Sequence, residues 1–131
     1  MATITARKIT ETGLAGSTTG CATGGDEFKN SGIEVVRIAN GHASQGYKIS
    51  VTAQTTAVTS PTYGSLTKSG PTVTVSAGGS AYLGPFKQAA FNDSDGKVQL
   101  TYLTTGDAAL STIGVPSVHK LTVEVLYLDN K

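Results

Sequence analysis

Asn92-Asp93-Ser94-Asp95-Gly96 sets side-chain oxygens at alternate positions ahead of a glycine, the pattern with which a loop wraps a hard cation such as calcium. The full loop also needs a bidentate Glu six residues beyond that glycine, and Tyr102 stands there. The stretch therefore reads as a polar hairpin turn, with no metal expected. Its Asn92-Asp93-Ser94 also spells a glycosylation acceptor, which has no meaning without a secretory leader. His42 lies in the turn-like Asn40-Gly41-His42-Ala43-Ser44 and His119 opens the last strand pattern. Neither has a Cys, Ser or carboxylate at a diagnostic spacing, so neither is expected to act as a base. The many Ser and Thr residues lack a Gly-x-Ser-x-Gly elbow. Residues 13–25 are glycine-rich but lack the Lys-Ser/Thr pair and the strand-to-helix setting of a phosphate cradle. Cys21, the single cysteine, cannot form an internal disulfide. With no basic neighbour in sequence, it reads as a small exposed or half-buried side chain in a protein made in a reducing cytoplasm. No catalytic, cofactor-binding or metal-ligating residue is assigned, and no enzymatic activity is expected.

The chain of 131 residues suits one domain able to bury a core without staples. Aromatic residues make up 6% of a 38% apolar content, so that core must be built from Val, Ile, Leu and Ala. Charged residues reach only 15%, against roughly 25% in soluble domains, so hydroxyls rather than ions cover the surface. With a net charge of +1 and no basic run, nucleic-acid binding is disfavoured. No apolar h-region opens the chain, and no run reaches the ~18 continuous apolar residues of a membrane helix, so no membrane partner is expected.

These residues must be positioned by strands. Helical spacing nowhere persists, whereas residues 47–53 alternate cleanly, with Tyr47, Ile49, Val51 and Ala53 on one face. Val73 and Val75 repeat the pattern, as do Val98, Leu100 and Tyr102. In residues 33–39 the near-continuous Val35, Val36 and Ile38 predict a central strand covered on both faces. In residues 121–128 the set Leu121, Val123, Val125 and Tyr127 points inward, while Leu126 and Leu128 form an apolar outer face that suggests a partner. Turn signals such as Asn40-Gly41, Ser60-Pro61, Ser69-Gly70-Pro71, Gly78-Gly79, Gly84-Pro85 and Thr105-Gly106-Asp107 separate the strands. Short strands so spaced predict an all-β fold, an antiparallel β-sandwich. The expected organisation is an extended N-terminal arm over residues 1–25 and a single sandwich domain over 26–131. Ile4 and Ala6 alternate with Thr3, Thr5, Arg7 and Ile9, as in a strand that adds to a neighbouring subunit's sheet edge. Thr3, Ile4, Thr5, Arg7, Ile9, Leu126 and Leu128 are therefore the candidate protein-interface residues.

One order of segments is more specific than composition. Gly32-Ile-Glu-Val-Val-Arg-Ile-Ala-Asn-Gly41 is followed by Tyr47-Lys-Ile-Ser-Val-Thr-Ala-Gln54, then Val75-Ser-Ala-Gly-Gly-Ser-Ala-Tyr-Leu-Gly-Pro-Phe86 and Gly96-Lys-Val-Gln-Leu-Thr-Tyr102. With the opening Ala-Thr-Ile-Thr-Ala-Arg-Lys-Ile-Thr at 2–10 and Gly25-Asp26-Glu27-Phe28, the chain resembles a family of small tailed-bacteriophage virion proteins similar to capsid decoration, or cement, proteins. The longer connection over residues 105–117 departs from the usual ending of that family. The resemblance implies a homo-oligomeric β-sandwich of jelly-roll-like form on the outer surface of the assembled head, made in the host cytoplasm and holding capsomers together. The implied partners are the major capsid protein and sister copies in a dimer or trimer. Alternatives are another virion part, such as a head-tail connector or tail component, and a carbohydrate-binding adhesion module, though sugar sites favour exposed aromatics and Trp is absent.

Overall fold

The computed structural model describes residues 2–22, 24–54, 57–60, 62, 64–67, 70–107 and 120–128. His119 and most of the 105–117 connection lie outside them. Almost all regular structure is strand: β1 (Ala2–Ile4), β2 (Arg7–Ile9), β3 (Thr19–Gly20), β4 (Asp26–Lys29), β5 (Val35–Asn40), β6 (Tyr47–Val51), β7 (Ala57–Ser60), β8 (Gly64–Thr67), β9 (Thr72–Val75), β10 (Ser80–Leu83), β11 (Lys97–Thr104) and β12 (Leu121–Leu128). One turn of helix, α1 (Gln88–Phe91), buries Phe91.

The strands form two packed sheets and one hairpin. Sheet 1 runs β1-β4-β11-β6-β9 and sheet 2 runs β10-β5-β12-β2, with β3 also on β12, while β7 pairs only with β8. Period-2 alternation sends one face of each sheet inward. Phe28, Ile49, Val51, Val98, Leu100 and Tyr102 from sheet 1 there meet Val36, Ile38, Leu121, Val123 and Val125 from sheet 2, all essentially buried. Except for Tyr127, which stays half-buried toward the end of β12, the inward set expected from sequence lies in the core or, at Ala53 and Val73, packs against it. Phe86 bridges Phe28 and Phe91 at one end, with ring centroids 6.0 and 5.5 Å away.

Three expectations need correction. Both sheets are mixed rather than antiparallel, because β1 pairs parallel with β4 and β2 pairs parallel with β12. Alternation in sequence fixes which face a residue takes, not the direction of its neighbour. The N-terminal segment is also not an arm awaiting another subunit. It pairs with sheet 1 through β1 and crosses to sheet 2 through β2, and its Ile4 and Cys21 belong to the core. Finally, β5 is central, lying between β10 and β12, but only one of its faces is covered: Val36, Ile38 and Asn40 are buried while Val35, Arg37 and Ala39 are half-buried.

A buried polar node ties the N-terminal segment down. Asp26, only 1% exposed, accepts hydrogen bonds on Oδ2 from the Tyr102 hydroxyl at 2.6 Å and from the Ala22 backbone N–H at 3.1 Å. Burial pushes the Asp26 carboxyl above its ordinary value, against the pull of those two bonds. Burial likewise pushes the neighbouring Cys21 thiol up to about 12, which makes this cysteine an inert core side chain, more deeply buried than the exposed or half-buried one expected.

Two predictions follow from this packing. Replacing Leu100 or Val123 by Ala should cost about 2–4 kcal/mol in urea unfolding, and a loss below about half a kcal/mol at both would mean the core lies elsewhere. Because the folded state holds the Asp26 proton more tightly than the unfolded chain, the protonated group favours folding at low pH. That contribution fades as pH rises through the folded value. Unfolding measured from about pH 4 to about pH 7 should therefore show wild type losing stability relative to Asp26→Asn as pH rises; a difference constant with pH would show that the carboxylate pays no burial cost.

Candidate protein-docking face

The outward faces of the two sheets differ in kind. On sheet 1 the register sets Thr3, Glu27 and Gln99 in one cross-strand row and Thr72, Ser50 and Thr101 in another. Lys97 Nζ reaches Glu27 Oε1 at 2.8 Å on the same face. This face is polar and hydrated.

On sheet 2, Val35, Leu126 and Arg7 form one outward row and Leu128 stands beside Ile9. Tyr82 of β10 lies opposite Arg37 in the next row. Ile9, Val35, Arg37, Tyr82, Leu126 and Leu128, with Ile33, Pro85 and Tyr127, line an apolar groove of about 460 Å³. Of the four exposed large hydrophobic side chains among the described residues, Tyr82 (68%), Leu128 (62%) and Ile33 (39%) all line it. This groove is the candidate interaction site on an otherwise hydroxyl-rich protein.

Local structure fixes the walls. Glu34 accepts hydrogen bonds from the Ser31 hydroxyl at 2.7 Å and from the backbone N–H groups of Ser31 at 2.8 Å and Ile33 at 3.2 Å. Burial would raise its pKa, but these bonds outweigh it and hold the carboxyl below its ordinary value. The loop that presents Ile33 is thereby pinned. Asn30 donates from Nδ2 to Phe86 O at 3.0 Å and to Asn92 Oδ1 at 2.7 Å, and so holds the segment following Pro85. Gly84 adopts φ +111°, and a Cβ there would lie 2.8 Å from Glu34 O, so only glycine lets the chain reach Pro85 this way.

Among the described residues that line the groove, the one ionic side chain is Arg37, whose Nη1 pairs with Glu124 Oε1 at 3.2 Å. Glu124 is buried although it points outward, because residue 17 covers it and donates its backbone N–H to Oε2 at 3.3 Å. The groove's charge is thus neutralised from within the chain.

The structure divides the interface residues expected from sequence. Ile9, Leu126 and Leu128 meet in the groove, whereas Thr3, Ile4, Thr5 and Arg7 line a separate depression of about 450 Å³ beside β12. Ile4 is largely turned into the core. Tyr82, Val35 and Ile33 were not anticipated. The alternation that sends Leu83 inward could have revealed Tyr82, and the Val35-Val36 pair was visible but read as cover on both faces.

The other candidates for chemistry serve local structure. Asp93 Oδ1 accepts from the N–H groups of Asp95 at 2.9 Å and Lys97 at 3.0 Å, and Oδ2 accepts from Gln99 at 3.1 Å, which shapes a turn leading from α1 into β11 rather than the hairpin expected. His42 Nδ1 accepts the backbone N–H groups of Ser44 and Gln45, each at 3.1 Å. Among the described residues no three His, Cys, Asp or Glu side chains gather as a metal site. No protein-family model, curated protein or solved structure matches this chain.

Proposed function

We propose that this chain is a bacteriophage capsid decoration protein that seats the outer face of sheet 2 on the assembled head and leaves the polar face of sheet 1 in solvent. Its partners in this reading are the major capsid protein and sister copies of itself. The carrying observation is the one-sided apolar groove formed by Ile9, Val35, Tyr82, Leu126 and Leu128, whose single cation is already paired. Such a surface gains by dehydration on a protein lattice and presents no unpaired charge to be buried. A four-stranded face is modest in area, so stable attachment comes from many copies acting together on a symmetric shell.

The strand order supports the jelly-roll form of the sandwich. Counting eight strands from β4 to β11, the first, eighth, third and sixth lie side by side in sheet 1, the second pairs with the seventh, and the fourth with the fifth. These match the neighbour relations of a jelly roll apart from the pairing of the fourth strand with the seventh, which is absent among the described residues, and β12 and the N-terminal strands are additions. The resemblance of the segments at 32–41, 47–54, 75–86 and 96–102 to small tailed-phage virion proteins points the same way.

The test is co-sedimentation with heads of the virus whose genome encodes the chain. Wild type should bind in a copy number that grows with shell area, and Leu128→Asp should remove binding while leaving the melting temperature nearly unchanged, since Leu128 is mostly exposed. Binding limited to a single ring of copies would favour the head-tail connector, and no binding would refute a capsid role.

A further inference from the structure

The far edge of β12 is completed by two short strands with a gap between them. β3 pairs with Thr122 and Val123, β2 pairs with Leu126 to Leu128, and neither pairs with Glu124 or Val125. The depression of about 450 Å³ opens at this gap, rimmed by the hydroxyl-bearing Thr3, Thr5, Ser17 and Thr19. Arg7 lines it too, and its Nη1 is buried without a hydrogen-bond partner. A guanidinium nitrogen withdrawn from water with no acceptor costs free energy that a matching acceptor would return.

Among the described residues, no acidic side chain pairs with Arg7. The other charged side chain lining it is Glu124, whose Oε1 is taken by Arg37 Nη1 and whose Oε2 is taken by the Ser17 N–H. Arg37, Glu124 and Arg7 together leave one positive charge, which suits a monoanion better than a phosphate. A planar carboxylate matches the guanidinium fork, and the surrounding hydroxyls can donate to its second oxygen.

We infer that the gap between β2 and β3 on β12 is a carboxylate-binding site anchored by Arg7. The depression adjoins the apolar groove, since Arg7 stands directly opposite Leu126 in the sheet register. One acidic side chain or chain terminus of a docked protein can therefore enter the gap while an apolar neighbour fills the groove. Only this source of the carboxylate rests on the docking role proposed above; the site itself does not.

Acetate is the probe. Sodium acetate is titrated into the intact protein against sodium chloride at equal ionic strength, following by NMR the Arg7 Nε–H group and the backbone amides of Thr5, Ser17 and Thr19. Acetate alone should produce saturable shifts at these groups in wild type. Arg7→Gln should show none, and Arg7→Lys, which keeps the charge but not the fork, should bind about tenfold more weakly. Shifts that are linear, equal in chloride, or unchanged in Arg7→Gln would overturn the assignment. If Arg7→Gln does not fold, the Arg7→Lys comparison and the chloride control decide the matter. Saturable acetate binding in a protein that ignores phage heads would sustain the site and remove the capsid, and the reverse result would do the opposite.

Discussion

The completion of β12 is the constraint on which the rest of this structure depends. Its eight residues lie inside sheet 2, with β5 hydrogen-bonded along one side and β2 and β3 in succession along the other. Buried backbone groups need partners, and a lone edge here would be an invitation to aggregate. Residues near the start of the chain provide the second neighbour, through a segment that also closes sheet 1 by pairing β1 with β4. The same segment supplies the Ile9 wall of the groove and covers Glu124, which in turn holds Arg37. The apolar groove, the Arg7 depression and the sandwich edge are thus products of one pairing. Asp26 secures it from within, by accepting the Ala22 N–H and the Tyr102 hydroxyl together.

This arrangement separates two jobs that small β-sandwiches often mix. Cohesion comes from the inward faces, where Val, Ile and Leu of both sheets meet with Phe28 and Tyr102. On the outward face of sheet 2 the apolar side chains stay partly or mostly exposed, and in the role proposed here they are the ones that meet a partner. A side chain such as Tyr82, most of which remains in water, contributes little to stability and is available for association. With few ions on the surface, long-range steering is weak, and a repeated, concentrated partner suits such a protein better than a rare one met by diffusion.

Alternation made the core legible in the sequence. Ile49, Val51, Val98, Leu100, Val123 and Val125 are each fixed by period-2 patterning, and each is buried. Leu126 and Leu128 were legible for the same reason, as apolar groups in outward positions, whereas Ile9 was expected at an interface only as part of an added strand. What period 2 does not carry is pairing. Nothing in Ala2–Ile4 or Arg7–Ile9 states that their neighbours are β4 and β12, or that the pairing is parallel, because those contacts join residues far apart in the chain. The glycine-rich residues 13–25 read as free for lack of large side chains. Their hold on the fold instead comes through backbone groups, such as the Cys21 N–H given to Leu121 O at 3.0 Å, and through the Cys21 side chain itself. Glu124 was illegible for a related reason: a charge at an outward position looks solvated until the segment that covers it is placed.

Amide hydrogen exchange at Arg7 to Ile9 and at Cys21, measured on the protein alone at several concentrations, addresses that pairing most directly. An intramolecular completion of β12 predicts slow exchange at the hydrogen-bonded amides of these residues, independent of concentration and comparable to the strands they join. Rapid exchange in the dilute protein, with protection arising only on self-association or on a partner's surface, would contradict it and return the N-terminal segment to the role of an arm.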